Sequence, residues 1–289
     1  MKFFNIHAKN LKGVIVAVAV ILLIALVISF SRNKQGETEY YEDFTFPQSD
    51  TEISAVPDNL KSSSYLENRG VGACNKLLGE VHVTVIFVED SKSKWNETDK
   101  ADFKTEAEAT FSRMESDAKA FGKTLNLESD YRNTKVSVPF IHAEFENWAD
   151  TVLASLDMSA YSDVNLSLER EFGCDEAVVI FALNYKGRSF TANSENAEYT
   201  IIFADAPAIY HEMCHVFGAE DLYYPDEVEK IAEKYINNSI MYNCYEGEVD
   251  DFTAYIIGWQ DTLTENAESF LENTMHVTKE QLNEARLTS

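Results

Sequence analysis

Residues 211–221 read HEMCHVFGAED, and their types and spacing could do chemistry. His211 and His215 are four apart, so on a helix they share one face and can offer two neutral imidazoles to a single cation. Glu212, next to the first histidine, puts a carboxylate where it can take a proton from activated water without binding the cation itself. Gly218 lets the chain reverse, which returns Glu220 or Asp221 to the histidines as an oxygen ligand. A distal glutamate, Glu229 or Glu233 in DEVEKIAEKY, is the other route to a third ligand. Zinc suits such a set, because it accepts nitrogen and oxygen, keeps one position open and lowers the pKa of its water towards neutrality. The reaction class that follows is metal-assisted hydrolysis, usually of a peptide bond.

With six histidines in 289 residues, an H-E-x-x-H match is expected by chance in roughly one such chain per hundred. Such a chance match would be an exposed helix with two incidental histidines. Context argues against that here. The motif follows an apolar strand pattern, Asp205-Ala206-Pro207 starts a helix well, and Gly218 ends it.

The extended pattern resembles that of the metzincin metallopeptidases, H-E-x-x-H-x-x-G-x-x-H. His211, Glu212, His215 and Gly218 match it, and Asp221 stands where the third histidine falls, as in the snapalysin-like branch. The resemblance implies one catalytic zinc on His211, His215 and Asp221, with Glu212 as general base and Glu220 out of register by one residue. It also implies a methionine turn in NNSIMYN (237–243), with Met241 as the methionine. Where some relatives carry a zinc-proximal tyrosine this chain has Asn243, and Tyr242 and Tyr245 are out of register. The family's edge strand, which holds extended substrate by strand addition, corresponds to EYTIIFA (198–204). The implied fold is α+β, a metzincin-like mixed and mainly parallel twisted sheet flanked by helices.

The elements that must position these residues can be read locally. VHVTVIFV (81–88) predicts a strand buried on both faces. A helix follows over 97–125, with Phe103, Ala107, Phe111, Met114, Ala118 and Phe121 on one face. VSVPFI (136–141) reads as a second strand and FENWADTVLASL (145–156) as a second helix. AVVIFALN (177–184) and EYTIIFA read as further strands joined by the loop YKGRSFTANSENA. The alternation suggests a helix-flanked, mainly parallel sheet. DDFTAYIIGWQ (250–260) and TKEQLNEARL (278–287) read as late helices.

Residues 13–30, GVIVAVAVILLIALVISF, carry no charge and would form a helix roughly 27 Å long, close to the hydrocarbon thickness of a bilayer. Lys2, Lys9 and Lys12 precede the run, and no small-x-small cleavage site follows it. The expectation is a cytoplasmic segment 1–12, a membrane anchor 13–30, a flexible acidic stalk 31–70 and a catalytic domain 71–289 outside the cell. The net charge of −25 argues against nucleic acid, which needs a basic face, and reads as a solubilising surface; the protein or peptide substrate is what the zinc motif implies. Cys74, Cys174, Cys214 and Cys244 allow disulfides in three connectivities, Cys214 to Cys244 among them. The acidic GEVDDF and YYPDEVEK segments admit structural calcium but lack an EF-hand pattern. His82, His142 and His276 have no ligand-like partners nearby in sequence. A non-catalytic binding module on a peptidase scaffold is the rival function class, although a binder has no need of Glu212.

Overall fold

The computed structural model describes residues 56–193, 198–236 and 238–276, all within a compact unit spanning Phe46–Ser289. Its centre is a five-stranded sheet in the order β2-β1-β3-β5-β4. The strands are β1 (Gly79–Glu89), β2 (Leu125–Lys135), β3 (Glu176–Leu183), β4 (Phe190–Asn193) and β5 (Glu198–Phe203). β2, β1, β3 and β5 run parallel, and β4 pairs antiparallel with β5 at the edge. Every residue of β3 and β5 is buried, which explains their unbroken apolar runs: helices cover both faces of a parallel sheet.

The helices are α1 (Glu97–Ala120), α2 (Phe145–Ala154), α3 (Val164–Phe172), α4 (Ile209–Val216), α5 (Asp226–Tyr235), α6 (Asp251–Ile256) and α7 (Glu265–Thr274). The Asn96 side chain accepts from the Asp99 amide and caps α1. The expected stripe from Phe103 to Ala118 is buried on one face of that helix.

Four expectations change. The second strand is LNLESDYRNTK, not VSVPFI: β2 pairs with β1 in continuous parallel register from Gly79↔Leu125 to Glu89↔Lys135. An edge strand needs few apolar residues because one side faces water, whereas Pro139 has no amide to give a ladder. Of VSVPFI, Val136 donates to Glu89 O and Phe140 to a carboxylate oxygen of Asp90. The edge strand beside α4 is β4, within the expected loop, and EYTIIF lies inside the sheet. The helix expected over 97–125 ends at Ala120 because Leu125 already opens β2, and α3 and α7 occupy stretches to which the sequence reading assigns no element.

The fourth change concerns the domain boundary. Residues 56–70 belong to the fold rather than to a stalk, since Leu60, Tyr65 and Leu66 are each 1% exposed. The Tyr65 ring meets Phe270 edge-on at 5.4 Å, and Arg69 Nε donates to Tyr255 O at 2.9 Å. All four cysteines are free thiols, so no disulfide forms. Cys74 is buried against Ala177 O, away from the histidine pair. The apolar run 13–30, the rest of the expected stalk and the expected helix 278–287 lie outside the described residues. Among the described residues, no helix is long and apolar enough to cross a membrane.

Candidate metal centre

A 3₁₀ turn at Ala206–Ala208 carries Pro207 into α4, where a missing amide costs nothing. Helix α4 then holds His211 and His215 one turn apart on one face, their rings at 88° with centroids 4.6 Å apart. Gly218 ends the helix with φ +92°, and a Cβ there would sit 2.3 Å from Asn68 O. Both the left-handed backbone and the close approach of residues 56–70 therefore require glycine. The reversal brings Asp221 back beneath the histidines.

Asp221 Oδ1 lies 3.2 Å from His211 Nε2 and 3.1 Å from His215 Nε2, and the two Nε2 atoms are 3.1 Å apart. Each imidazole is fixed from behind. His211 Nδ1 donates to Ile240 O at 2.9 Å, and His215 Nδ1 donates to Ala219 O at 2.7 Å. Carbonyls only accept, so Nδ1 carries a proton in both rings and each Nε2 faces the centre, where it offers a lone pair whenever its ring is neutral. Asp221 Oδ1 is buried there, and its neighbours are the two imidazole Nε2 atoms.

Three such atoms packed so closely need a positive charge among them, either a proton shared between imidazole and carboxylate or a metal cation in its place. Burial alone would lower the His215 imidazole, but the Asp221 carboxylate outweighs it and raises it to about 9. Burial likewise opposes ionisation of Asp221, yet the two imidazoles hold its carboxyl well below the usual range. The donors also fit zinc by size, since bonds of about 2.0–2.1 Å in a tetrahedron separate ligands by about 3.3 Å.

Tyr223, which sequence reasoning passed over, completes the setting. Its hydroxyl donates to Asp221 Oδ2 at 2.9 Å, which orients the carboxylate so that Oδ1 faces the histidines. The Arg188 guanidinium donates to the same hydroxyl. No sequence signal marked it, because a D-x-Y spacing carries no period of its own.

Glu212 is buried beside the three donors. Burial raises its carboxyl above the ordinary range, while the two histidines pull the other way. A carboxylate so tuned suits proton transfer nearer neutrality. Met241 is fully buried. Its segment reaches the centre through backbone: Ile240 O holds His211, and Met241 O accepts from the Leu222 amide at 2.9 Å just after Asp221.

Among the described residues, the group able to hold a metal is His211, His215 and Asp221. Glu220 is turned aside to accept from the Asn68 side chain. Glu229 and Glu233 stay outside the group, and Glu233 accepts from Tyr242 OH at 2.9 Å. His82 pairs with Asp130 at 3.0 Å, His142 packs on Phe190, and neither joins the centre. The acidic segments assemble no second cluster; Asp250 instead caps α6 through the Phe252 and Thr253 amides.

Comparison with solved structures finds a weak likeness. It is to the crystal structure of metalloproteinase-II from Bacteroides fragilis, with a TM-score of 0.31 and 13% identity over 69% of this chain and 58% of that one. The neighbour is a metalloproteinase by name. A TM-score that low carries no argument, and this chain spans less than two thirds of that protein. No family model matches, and no curated protein does.

Proposed function

We propose that this chain is a zinc-dependent endopeptidase of metzincin type with an aspartate as third ligand. One observation carries the reading: two Nε2 atoms, each fixed from behind by an Nδ1 hydrogen bond to a carbonyl, and a buried carboxylate oxygen converge within 3.2 Å, beside a buried glutamate. His211, His215 and Asp221 would hold zinc, and Met241 would be the methionine of the turn under it. Zinc bound there supplies Lewis acidity to a scissile carbonyl and a water of lowered pKa. Glu212 accepts the proton of the attacking water and passes it to the leaving amine, so its carboxylate ends as it began. Its place one residue from His211 keeps it near the reacting atoms without making it a ligand. An extended peptide would pair along the outer side of β4, the sheet edge next to α4.

The apolar run 13–30 supports a membrane anchor, with the catalytic unit outside the cell. The acidic residues between them would then form a shorter stalk.

The decisive measurement is the zinc content of residues 46–289 beside the His215→Ala variant, followed by a peptide-cleavage screen with Glu212→Gln as control. One zinc per chain, lost in His215→Ala, with cleavage abolished in Glu212→Gln, is the expected result. A folded protein without zinc refutes the reading. Zinc without cleavage of any substrate leaves a binding module.

A further inference from the structure

The edge strand β4 presents alternate side chains to the active-site helix. Thr191 and Asn193, two apart and so on the same face, both reach α4. Asn193 Nδ2 donates to His215 O at 2.8 Å. Thr191 Oγ1 lies 2.9 Å from Glu212 Oε2, 2.9 Å from Glu212 O and 3.1 Å from Thr200 Oγ1. Thr200 is fully buried and is the cross-strand partner of Thr191.

A threonine hydroxyl has one proton for these three neighbours. The carboxylate is the strongest acceptor, since a hydrogen bond to an ionised oxygen is roughly twice as strong as a neutral one. The consistent arrangement is therefore a relay, in which Thr200 donates to Thr191 and Thr191 donates to Glu212 Oε2. With Oε2 so engaged, Oε1 is the oxygen left to exchange a proton with water.

We propose that Thr191, held by Thr200, is a positioning residue for Glu212. It fixes which carboxylate oxygen faces the metal centre and at what angle. Thr191 itself neither binds the metal nor touches the reacting atoms. The proposal rests on the endopeptidase reading for its catalytic consequence, while the contact between the two side chains can be tested without activity. A general base displaced by about 1 Å loses on the order of 100-fold in rate.

The test uses residues 46–289 carrying Thr191→Val, which keeps the shape and removes the hydroxyl, and Thr191→Ser, which restores it. On a peptide that the wild type cleaves, Thr191→Val is expected to keep its zinc and its KM within about twofold while kcat falls about 10- to 100-fold. Thr191→Ser should recover kcat to within a few-fold. Independently, a cycle of Thr191→Val and Glu212→Ala, read by urea unfolding, should be non-additive, because the two side chains touch. If Thr191→Val is too unstable to assay, Thr191→Ala replaces it in both experiments. Full kcat in the valine variant, a loss confined to KM or to zinc content, or an additive cycle overturns the proposal. An inactive wild type with a non-additive cycle would instead refute the endopeptidase reading and leave Thr191 holding Glu212.

Discussion

Starting the chain at residue 71 instead of residue 46 should abolish its fold, although no residue of the candidate metal centre is removed. The deletion takes away Val56, Leu60, Tyr65 and Leu66, which are 6%, 1%, 1% and 1% exposed. Burial of a large apolar side chain stabilises by about 1.5–3 kcal/mol, so the four together contribute about 6–12 kcal/mol. That figure is an upper bound, because the unfolded chain already buries some of this surface. A whole domain has a net stability of only about 5–15 kcal/mol. The deletion also uncovers Phe252 and Phe270, which pack against Tyr65, and removes Asn68, whose carbonyl rests on Gly218. Urea unfolding followed by circular dichroism would compare residues 46–289 with residues 71–289. The longer chain should unfold cooperatively and bind one zinc, while the shorter one should show no cooperative transition. Leu66→Ala in the longer chain gives a graded version, with an expected loss of about 2–5 kcal/mol. A cooperative transition of residues 71–289 at an unshifted midpoint would refute the reasoning.

Other outcomes follow from the same geometry. Gly218→Ala forces φ +92° on a residue with a Cβ and drives that Cβ to 2.3 Å from Asn68 O, so thermal unfolding should show it among the most destabilising single changes in the chain. Tyr223→Phe removes the donor to Asp221 Oδ2; chelator competition should show zinc affinity down about 10- to 100-fold, with the unfolding midpoint of the metal-free protein little changed. Burial, reinforced by Glu169 and Asp175, raises Glu176 to about 7. The folded state therefore binds its proton more tightly than the unfolded state, and the stability so gained is present below about pH 4.5 and lost as pH rises through about 7. Glu176→Gln, which keeps an acceptor for the Asn75 and Lys76 amides, should flatten that slope by up to about 3 kcal/mol. Urea midpoints between pH 4.5 and 8 measure it.

The parts legible in the sequence are those whose physics is local. His211 and His215 share a face because a helix turns every 3.6 residues, and Gly218 marks the reversal because few other residues tolerate its backbone. The central strands announce themselves because both of their faces are covered, so VHVTVIFV and AVVIFALN had to be apolar. The edges of the sheet were illegible for the opposite reason. β2 and β4 are polar or short, and they are strands because a neighbour offers hydrogen bonds, in the case of β2 from residues 79–89.

The same division runs through the candidate metal centre. The i, i+4 histidines, the adjacent glutamate and the reversing glycine were determined by the order of residues alone, and with them the expected chemistry. Which acid lies beside the two histidines was decided by tertiary structure. Asn68 draws Glu220 away, Tyr223 turns Asp221 inward, and Glu233 is engaged by Tyr242. Thr191 and residues 56–70 likewise come to the site only through folding. Contacts between residues far apart in the chain leave no periodicity behind them, and only the packed structure shows which ones form.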